Sequence, residues 1–404
     1  MKIKKIVRNL FKIFTVLFIL LLAYIVYAVG WIYKFNAGQK AMFKDVPKDF
    51  YQKFPLIQDP NGYFGVVATI NGLYTDTLLF DTQASSSLVK QEKLDQYGAV
   101  YWGRKPIPTF NFYQQVYFSK IYKVNDVKIG NCTLKGLLFN SVPKENGMYN
   151  ALYRTVLGRT IIENMVWKFD MDKKEMILFS PQNQKSLKRE TDGFTFIKDG
   201  INKLSLYNKQ TDSLKLLVDL GSNYDIIIDK KTCKKLQKCY IPRRYTNYRR
   251  VGLTDTISEF RGITMYCNDI AIPHCTLIYM PTLNKNVAGN NFIEKMNFIL
   301  AKDDLYIQQR TDTVSNYDSR LSELGLNINI REENVRITSL EINGKAEKAG
   351  LKLGDRVISI EQGKINMDHL SVQNGKMERY LQKAKCLTLE IERNGVKKSF
   401  TITK

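Results

Sequence analysis

A short pattern occurs twice in this chain, and few folds can place both copies. The first is Leu-Leu-Phe-Asp81-Thr82-Gln83-Ala84-Ser85-Ser86-Ser87-Leu-Val, residues 78 to 89. The second is Leu-Leu-Val-Asp219-Leu220-Gly221-Ser222-Asn-Tyr-Asp-Ile-Ile-Ile, residues 216 to 228. In each, an apolar run of strand character ends on one carboxylate, passes through small or hydroxyl residues and leaves through further apolar residues. The carboxylates stand 219 − 81 = 138 residues apart, which reads as an internal duplication.

Two aspartates, each at the tip of a buried strand, suit a reaction in which paired carboxyl groups share one proton. Like charges held close do not both ionise easily, so one group stays protonated to polarise a carbonyl while the other activates water. Peptide-bond hydrolysis by a general acid and a general base needs that combination. A single such aspartate reads more simply as the start of a turn after a strand; the matched pair favours the catalytic reading.

The Asp81 stretch resembles the Asp-Thr-Gly-Ala-Ser of pepsin and retropepsin aspartic proteases, and the Asp219 stretch resembles the corresponding loop of a second lobe. In that family each lobe later carries two apolar residues and a glycine, which lie behind the catalytic loop. Here Val156-Leu157-Gly158 leads to Met165, and Val287-Ala288-Gly289 leads to Met296, seven residues after the glycine in both cases. The resemblance covers roughly residues 55 to 310. It implies a mainly β fold with two related acid-protease β-barrel lobes, 56–180 and 190–310, and Asp81 and Asp219 as the catalytic pair. Thr82, Gln83, Ala84, Ser85, Leu220, Gly221 and Ser222 would form the active-site loops. It also implies a hairpin flap, for which Lys105 to Phe118 occupies the corresponding place, although its aromatics read equally as core.

Two positions depart from the family pattern. Gln83 stands where the family has glycine, and a side chain there would intrude beneath a substrate or block an N–H from the carboxylate. Leu220 replaces the hydroxyl residue that normally ties the two loops together. An aspartic endopeptidase and a catalytically silent peptide-binding or scaffold protein are therefore both open readings.

At 404 residues and 44% hydrophobic content, the chain has room for two or three domains with cores of their own. Ile13 to Tyr33 is uncharged and follows Lys2, Lys4, Lys5, Arg8 and Lys12. At about 1.5 Å per residue such a helix spans the roughly 30 Å hydrocarbon core, with its basic flank in the cytoplasm. Residues 1–34 are thus expected to be a cytoplasmic tail and transmembrane anchor and 35–55 a linker. The remainder is then periplasmic or otherwise outside a bacterial inner membrane. A cleaved signal peptide ending near Val26-Tyr27-Ala28 is the competing reading, but the apolar run is longer than such segments usually carry.

Cys132, Cys233, Cys239, Cys267, Cys275 and Cys386 permit short disulfide loops, Cys233 with Cys239 and Cys267 with Cys275, or free buried thiols. No paired zinc spacing occurs, and no metal or cofactor is expected. With only His274 and His369 and no Gly-x-Ser-x-Gly elbow, a serine-protease site fails. The net charge of +22 and the lysines and arginines between Lys230 and Arg250 raise the question of nucleic acid. No recognition motif accompanies them, so they read as a solvated face or a contact with anionic lipid or acidic peptide.

Strand signals flank Asn71-Gly72 in the first copy and Asn394-Gly395 near the C-terminus, both strong hairpin turns. In the last segment, Ala349-Gly350-Leu351 followed by Gly354-Asp355 and an apolar strand resembles a PDZ domain of the bacterial protease type, covering 318–404. That resemblance implies a terminus-binding loop and strand edge at Leu324, Gly325, Leu326, Asn327 and Ile328. It further implies a groove helix at Leu370 to Ala384 and a peptide or protein terminus as partner; a module used only for packing is the alternative.

Overall fold

Asn71 and Gly72 both adopt positive φ, 51° and 66°, the backbone a two-residue hairpin turn demands. They join Phe64–Ile70 to Tyr74–Phe80, and the second strand delivers Asp81 at its end. The fold is mainly β with one long N-terminal helix, Lys2–Ala41. The computed structural model describes all residues except 1, 60, 111–115, 147, 148, 150, 151, 153, 251, 252, 284, 312–320, 332, 333, 362, 365–380, 382, 383 and 404. The chain forms two units, the first of Met1–Pro47, Val67–Leu78 and Ser86–Thr160, the second of Lys48–Val66, Leu79–Ser85 and Ile161–Lys404.

Each unit carries the same local topology. In the first, Ser87–Lys90 runs parallel to Leu138–Val142, with Ser87 opposite Phe139, and antiparallel to Val156–Leu157. In the second, Ile226–Ile228 runs parallel to Ile270–Tyr279, with Ile226 opposite Leu277, and antiparallel to Val287–Gly289. The duplication legible in the sequence is therefore a duplication of strand order. It also explains the two glycines. A β-carbon at Gly158 would fall 2.3 Å from the Ser86 carbonyl carbon, and one at Gly289 would fall 2.2 Å from the Tyr224 carbonyl oxygen. Only glycine lets the backbone cross that closely behind each loop.

After each glycine a short helix buries two apolar residues, Ile161 and Ile162 in one copy and Phe292 and Ile293 in the other. A strand follows each helix, and the two strands pair antiparallel, Lys168 opposite Ile299. Since 299 − 168 and 289 − 158 are both 131, equivalent residues of the two copies face each other across a local two-fold. This pairing centres a six-stranded sheet in the second unit. Its inner face carries Phe169 stacked on Phe298 at 4.4 Å, with Phe64 5.3 Å from Phe169 and Phe80 4.8 Å from Trp167. All five rings are fully buried, so Asp81 follows directly on a side chain locked into an aromatic core.

Several sequence expectations change here. Residues 35–55 are not a linker throughout: the helix continues to Ala41, and Tyr51–Pro55 pairs with Glu175–Phe179 at the edge of the six-stranded sheet. An edge strand with mixed exposure has no two-residue hydrophobic period to betray it. The boundary at 180 also shifts, because pairing with the second copy places 161–180 in the second unit, along with Leu79–Ser85. The polar stretch 181–191 contains a helix, Gln184–Glu190, whose first turn is capped when the Asn183 side chain accepts the Ser186 N–H at 3.1 Å.

All six cysteines are free thiols. The segment Leu10–Ala41 is long and apolar enough to cross a membrane by length and composition, a test a signal sequence also passes.

The C-terminal segment buries its own apolar core, which includes Leu324, Leu326, Ile337, Leu351, Leu387 and Ile391. It joins the second copy by strand pairing. Asn334–Glu341 pairs with Leu326–Arg331 on one side and with Arg243–Arg250 on the other. Arg243 grips Glu341 with two short bonds, 2.6 and 2.7 Å, and also donates to the Ser322 carbonyl at 2.7 Å. Part of the basic run is thus consumed as structural cement rather than presented to solvent.

Candidate active site

Asp81 and Asp219 both belong to the second unit, and their loops interlock there. Asp81 Oδ1 accepts the N–H groups of Gln83 and Ala84, each at 2.8 Å, while Asp219 Oδ1 accepts the Gly221 N–H at 2.9 Å. Gly221 stands between the two carboxyl groups. Its N–H holds Asp219, and a β-carbon on it would fall 2.4 Å from Asp81 Cγ. Any side chain at 221 would therefore displace the Asp81 carboxylate, which is why this loop keeps the glycine. The fold brings the two acids of the repeated pattern to one place.

The loops are tied by a three-part latch. The Thr82 hydroxyl donates to the Val218 carbonyl at 2.6 Å and accepts the Leu220 N–H at 3.1 Å. The Gln83 side-chain amide donates to the same Val218 carbonyl at 2.9 Å. Gln83 therefore neither blocks its own N–H, which still reaches Asp81, nor leaves its side chain free. It reaches across to the second loop and supplies a tie where Leu220 has no hydroxyl to give one. Leu220 is fully buried, and its carbonyl accepts the Asn290 side-chain amide at 2.7 Å. Asn290 is completely buried and has no motif of its own; the one signal that could find it is its place directly after Val287-Ala288-Gly289. Of the remaining loop residues, Ser85 is exposed, and the Ser222 carbonyl accepts the Asn290 N–H at 2.7 Å.

The electrostatics follow from this packing. Burial raises the Asp219 pKa to about 7, and the neighbouring Asp81 charge adds to the rise; Lys285 and the Gly221 N–H pull the other way. Burial raises Asp81 as well, opposed by the Gln83 and Ala84 N–H groups and by Lys285. The pair titrates as a unit. With two N–H donors at Asp81 and one at Asp219, the shared proton is better placed on Asp219. Lys285, an exposed cation just before Val287-Ala288-Gly289, is a second contributor that the sequence pattern does not mark, because it lies far along the chain from either aspartate.

The residues expected to capture a chain terminus lie in the C-terminal module. Leu324, Leu326, Asn327 and Ile328 are buried, and Gly325 takes a φ of +83°. Their amide donors are engaged internally: Gly325 N–H to the Ser322 carbonyl at 2.9 Å, Leu326 N–H to the Ser322 hydroxyl at 3.4 Å, and Ile328 N–H to the Asn327 side chain at 2.8 Å. The groove helix expected at 370–384 lies largely outside the described residues. In the first unit, the stretch expected as a flap forms a short hairpin, Thr109–Phe110 paired with Val116–Tyr117, its tip outside the described residues.

No family model matches the chain, and no curated protein matches it. Among solved structures it is similar to a retropepsin-like aspartic protease from Rickettsia conorii, at 18% identity and a TM-score of 0.24, covering 32% of this chain and 91% of that one. It is also similar to Basic 7S globulin from soybean, at 10% identity and a TM-score of 0.40, covering 64% of this chain and 94% of that one. Likeness at this level carries no argument about the site.

Two outcomes follow from the geometry. Gln83→Leu removes one donor from the buried Val218 carbonyl and lowers the unfolding free energy by about 1 kcal/mol in urea titrations; an unchanged midpoint would mean the side chain is not part of the latch. Asp219 is protonated up to about pH 7 when folded, against an ordinary value of 3.8. The native state therefore binds the extra proton across that window, and stability falls as pH rises through it, by at most on the order of 4 kcal/mol. Asp219→Asn should match wild type near pH 4 and be more stable above pH 7, read by thermal unfolding at each pH.

Proposed function

We propose that this protein is a membrane-anchored peptidase that hydrolyses peptide bonds with Asp81 and Asp219 as a proton-sharing pair. The observation that carries the reading is the position of Gly221, whose backbone bonds one carboxylate and packs directly on the other. Two carboxyl groups held that close, one kept neutral by burial and by its partner's charge, supply an acid and a base without any further group. In this mechanism ionised Asp81 takes a proton from water as it attacks the scissile carbonyl, and protonated Asp219 donates to the carbonyl oxygen. The proton Asp81 gains then passes to the leaving amine as the C–N bond breaks, and Asp219 takes a proton back from the tetrahedral diol, which leaves a carboxylic acid and restores the starting pair. The latch from Thr82 and Gln83 to Val218 holds the two loops at fixed separation, which positioned acid–base chemistry requires.

The apolar N-terminal helix supports anchoring in a bacterial inner membrane, with the catalytic pair on the periplasmic side. We assign the C-terminal module to capture of peptide or protein termini, in the manner of a PDZ domain. A terminal carboxylate would have to displace Ser322 from the Gly325 and Leu326 donors, so the module as it stands is a closed form of such a receptor.

The test is cleavage of an extended peptide library by the purified full chain. Activity should be sensitive to pepstatin and should decline as pH rises through about 7, where the pair loses its shared proton. Asp81→Asn and Asp219→Asn should each lower the rate at least about 10³-fold. Equal background from wild type and both variants at acidic and neutral pH would overturn the peptidase reading; the alternative, a catalytically silent peptide binder, predicts that peptides still bind when either aspartate is replaced.

A further inference from the structure

We infer that one face of the first unit sits in the outer leaflet of the bilayer, so that the N-terminal helix is a docked strut rather than a free tether. This rests on the anchor reading above. The helix touches the rest of the first unit along one stripe. Tyr24 donates its hydroxyl to the Pro106 carbonyl, and Ala28 is buried. Trp31 and Phe35 pack on Trp102 with ring centroids at 5.6 and 6.1 Å, Gly38 faces Leu138, and Gln39 and Met42 are buried. Steps of four, three, four and three residues through 24, 28, 31, 35 and 38 define a single helical face, with the buried Gln39 and Met42 at its end.

That stripe overlaps the apolar run. The uncharged segment from Ile13 to Tyr33 follows Lys12, and about 30 Å of hydrocarbon needs some 20 helical residues. Docking begins at Tyr24, about 16 Å along from Ile13 at about 1.5 Å per residue. The free part of the run is therefore only half a bilayer long. To fill the membrane, the docked part from Tyr24 to about Trp31 must enter it and take its partners along. Trp31, Trp102 and Phe35, with Lys34 5.4 Å from the Trp102 ring, then fall at the level where aromatic and basic residues gather at a bilayer surface. The Tyr24 contact with Pro106 falls about 10 Å deeper, the depth reached by interfacial segments.

The surface around Pro106 has the matching character. Val116 and Phe118 are 58 and 46% exposed, large apolar side chains otherwise set against water. Arg104 lies over the Phe118 ring at 5.8 Å, and the hairpin base is closed by the Lys105 N–H to the Ser119 carbonyl at 2.9 Å. The two strands of the hairpin also pair with each other, Thr109 opposite Tyr117 and Phe110 opposite Val116. The exposed Arg104 head stands where it can extend to lipid phosphates. The occupant of this face is thus an anionic phospholipid leaflet.

The full chain, with exposed Cys239 and Cys386 replaced by serine, is labelled with an environment-sensitive fluorophore at Val116→Cys or Phe118→Cys. It is then reconstituted in phosphatidylcholine–phosphatidylglycerol vesicles. Nitroxide-bearing lipid should quench either label at least about two-fold, and aqueous iodide should quench it little. A carbonate-resistant chain whose labels are quenched by iodide and not by nitroxide lipid would overturn the docked strut and leave the anchor standing. A chain released by carbonate, or shortened at its N-terminus, would overturn the anchor and this inference together.

Discussion

Two carboxyl groups that would repel each other in water are held on either side of a single glycine. The rest of the second unit serves to keep them there. Burial alone would drive both groups neutral, and exposure would leave both ionised. Neither state has an acid and a base together. The intermediate condition comes from unequal backbone donors, two for Asp81 and one for Asp219, inside a site that excludes much of the water. The aromatic core beneath Asp81 and the glycine crossings behind the loops are what make those donors rigid.

The latch shows how a departure from a pattern can be accommodated. A leucine at 220 contributes packing but no hydroxyl, so one of the two reciprocal ties between loops is absent. The Gln83 amide and the Thr82 hydroxyl both reach the Val218 carbonyl, so that two donors from one loop serve one acceptor on the other. Gln83 thus bonds the same loop that carries Leu220, and reading the two departures as separate losses misses that tie.

Much of this arrangement is legible in the amino-acid sequence. The strand-to-aspartate pattern and the apolar-apolar-glycine crossings mark both loops, because a carboxylate at a strand tip and a glycine under a carbonyl leave strong local signatures. What stays hidden depends on contacts between residues far apart in the chain. The direction of the Gln83 side chain, the Asn290 bond to Leu220, the nearness of Lys285 and the use of Arg243 to cement the C-terminal module have no local signature. The edge strand Tyr51–Pro55 resembles a linker in sequence because half-exposed residues show no period. The helix outlasts its apolar run, which stops at Tyr33; its continuation to Ala41 is set by the aromatic and glycine contacts it makes beyond that point.

The central claim is that the two aspartates feel each other's charge. The direct measurement is a carbon NMR titration of aspartate-labelled protein, following the Asp219 carboxyl in wild type and in Asp81→Asn. Wild type should show an upper step at about 7, and removing the Asp81 charge should move that step to lower pH, while burial keeps it above the ordinary value of 3.8. An Asp219 titration that is identical in both proteins would contradict a shared site.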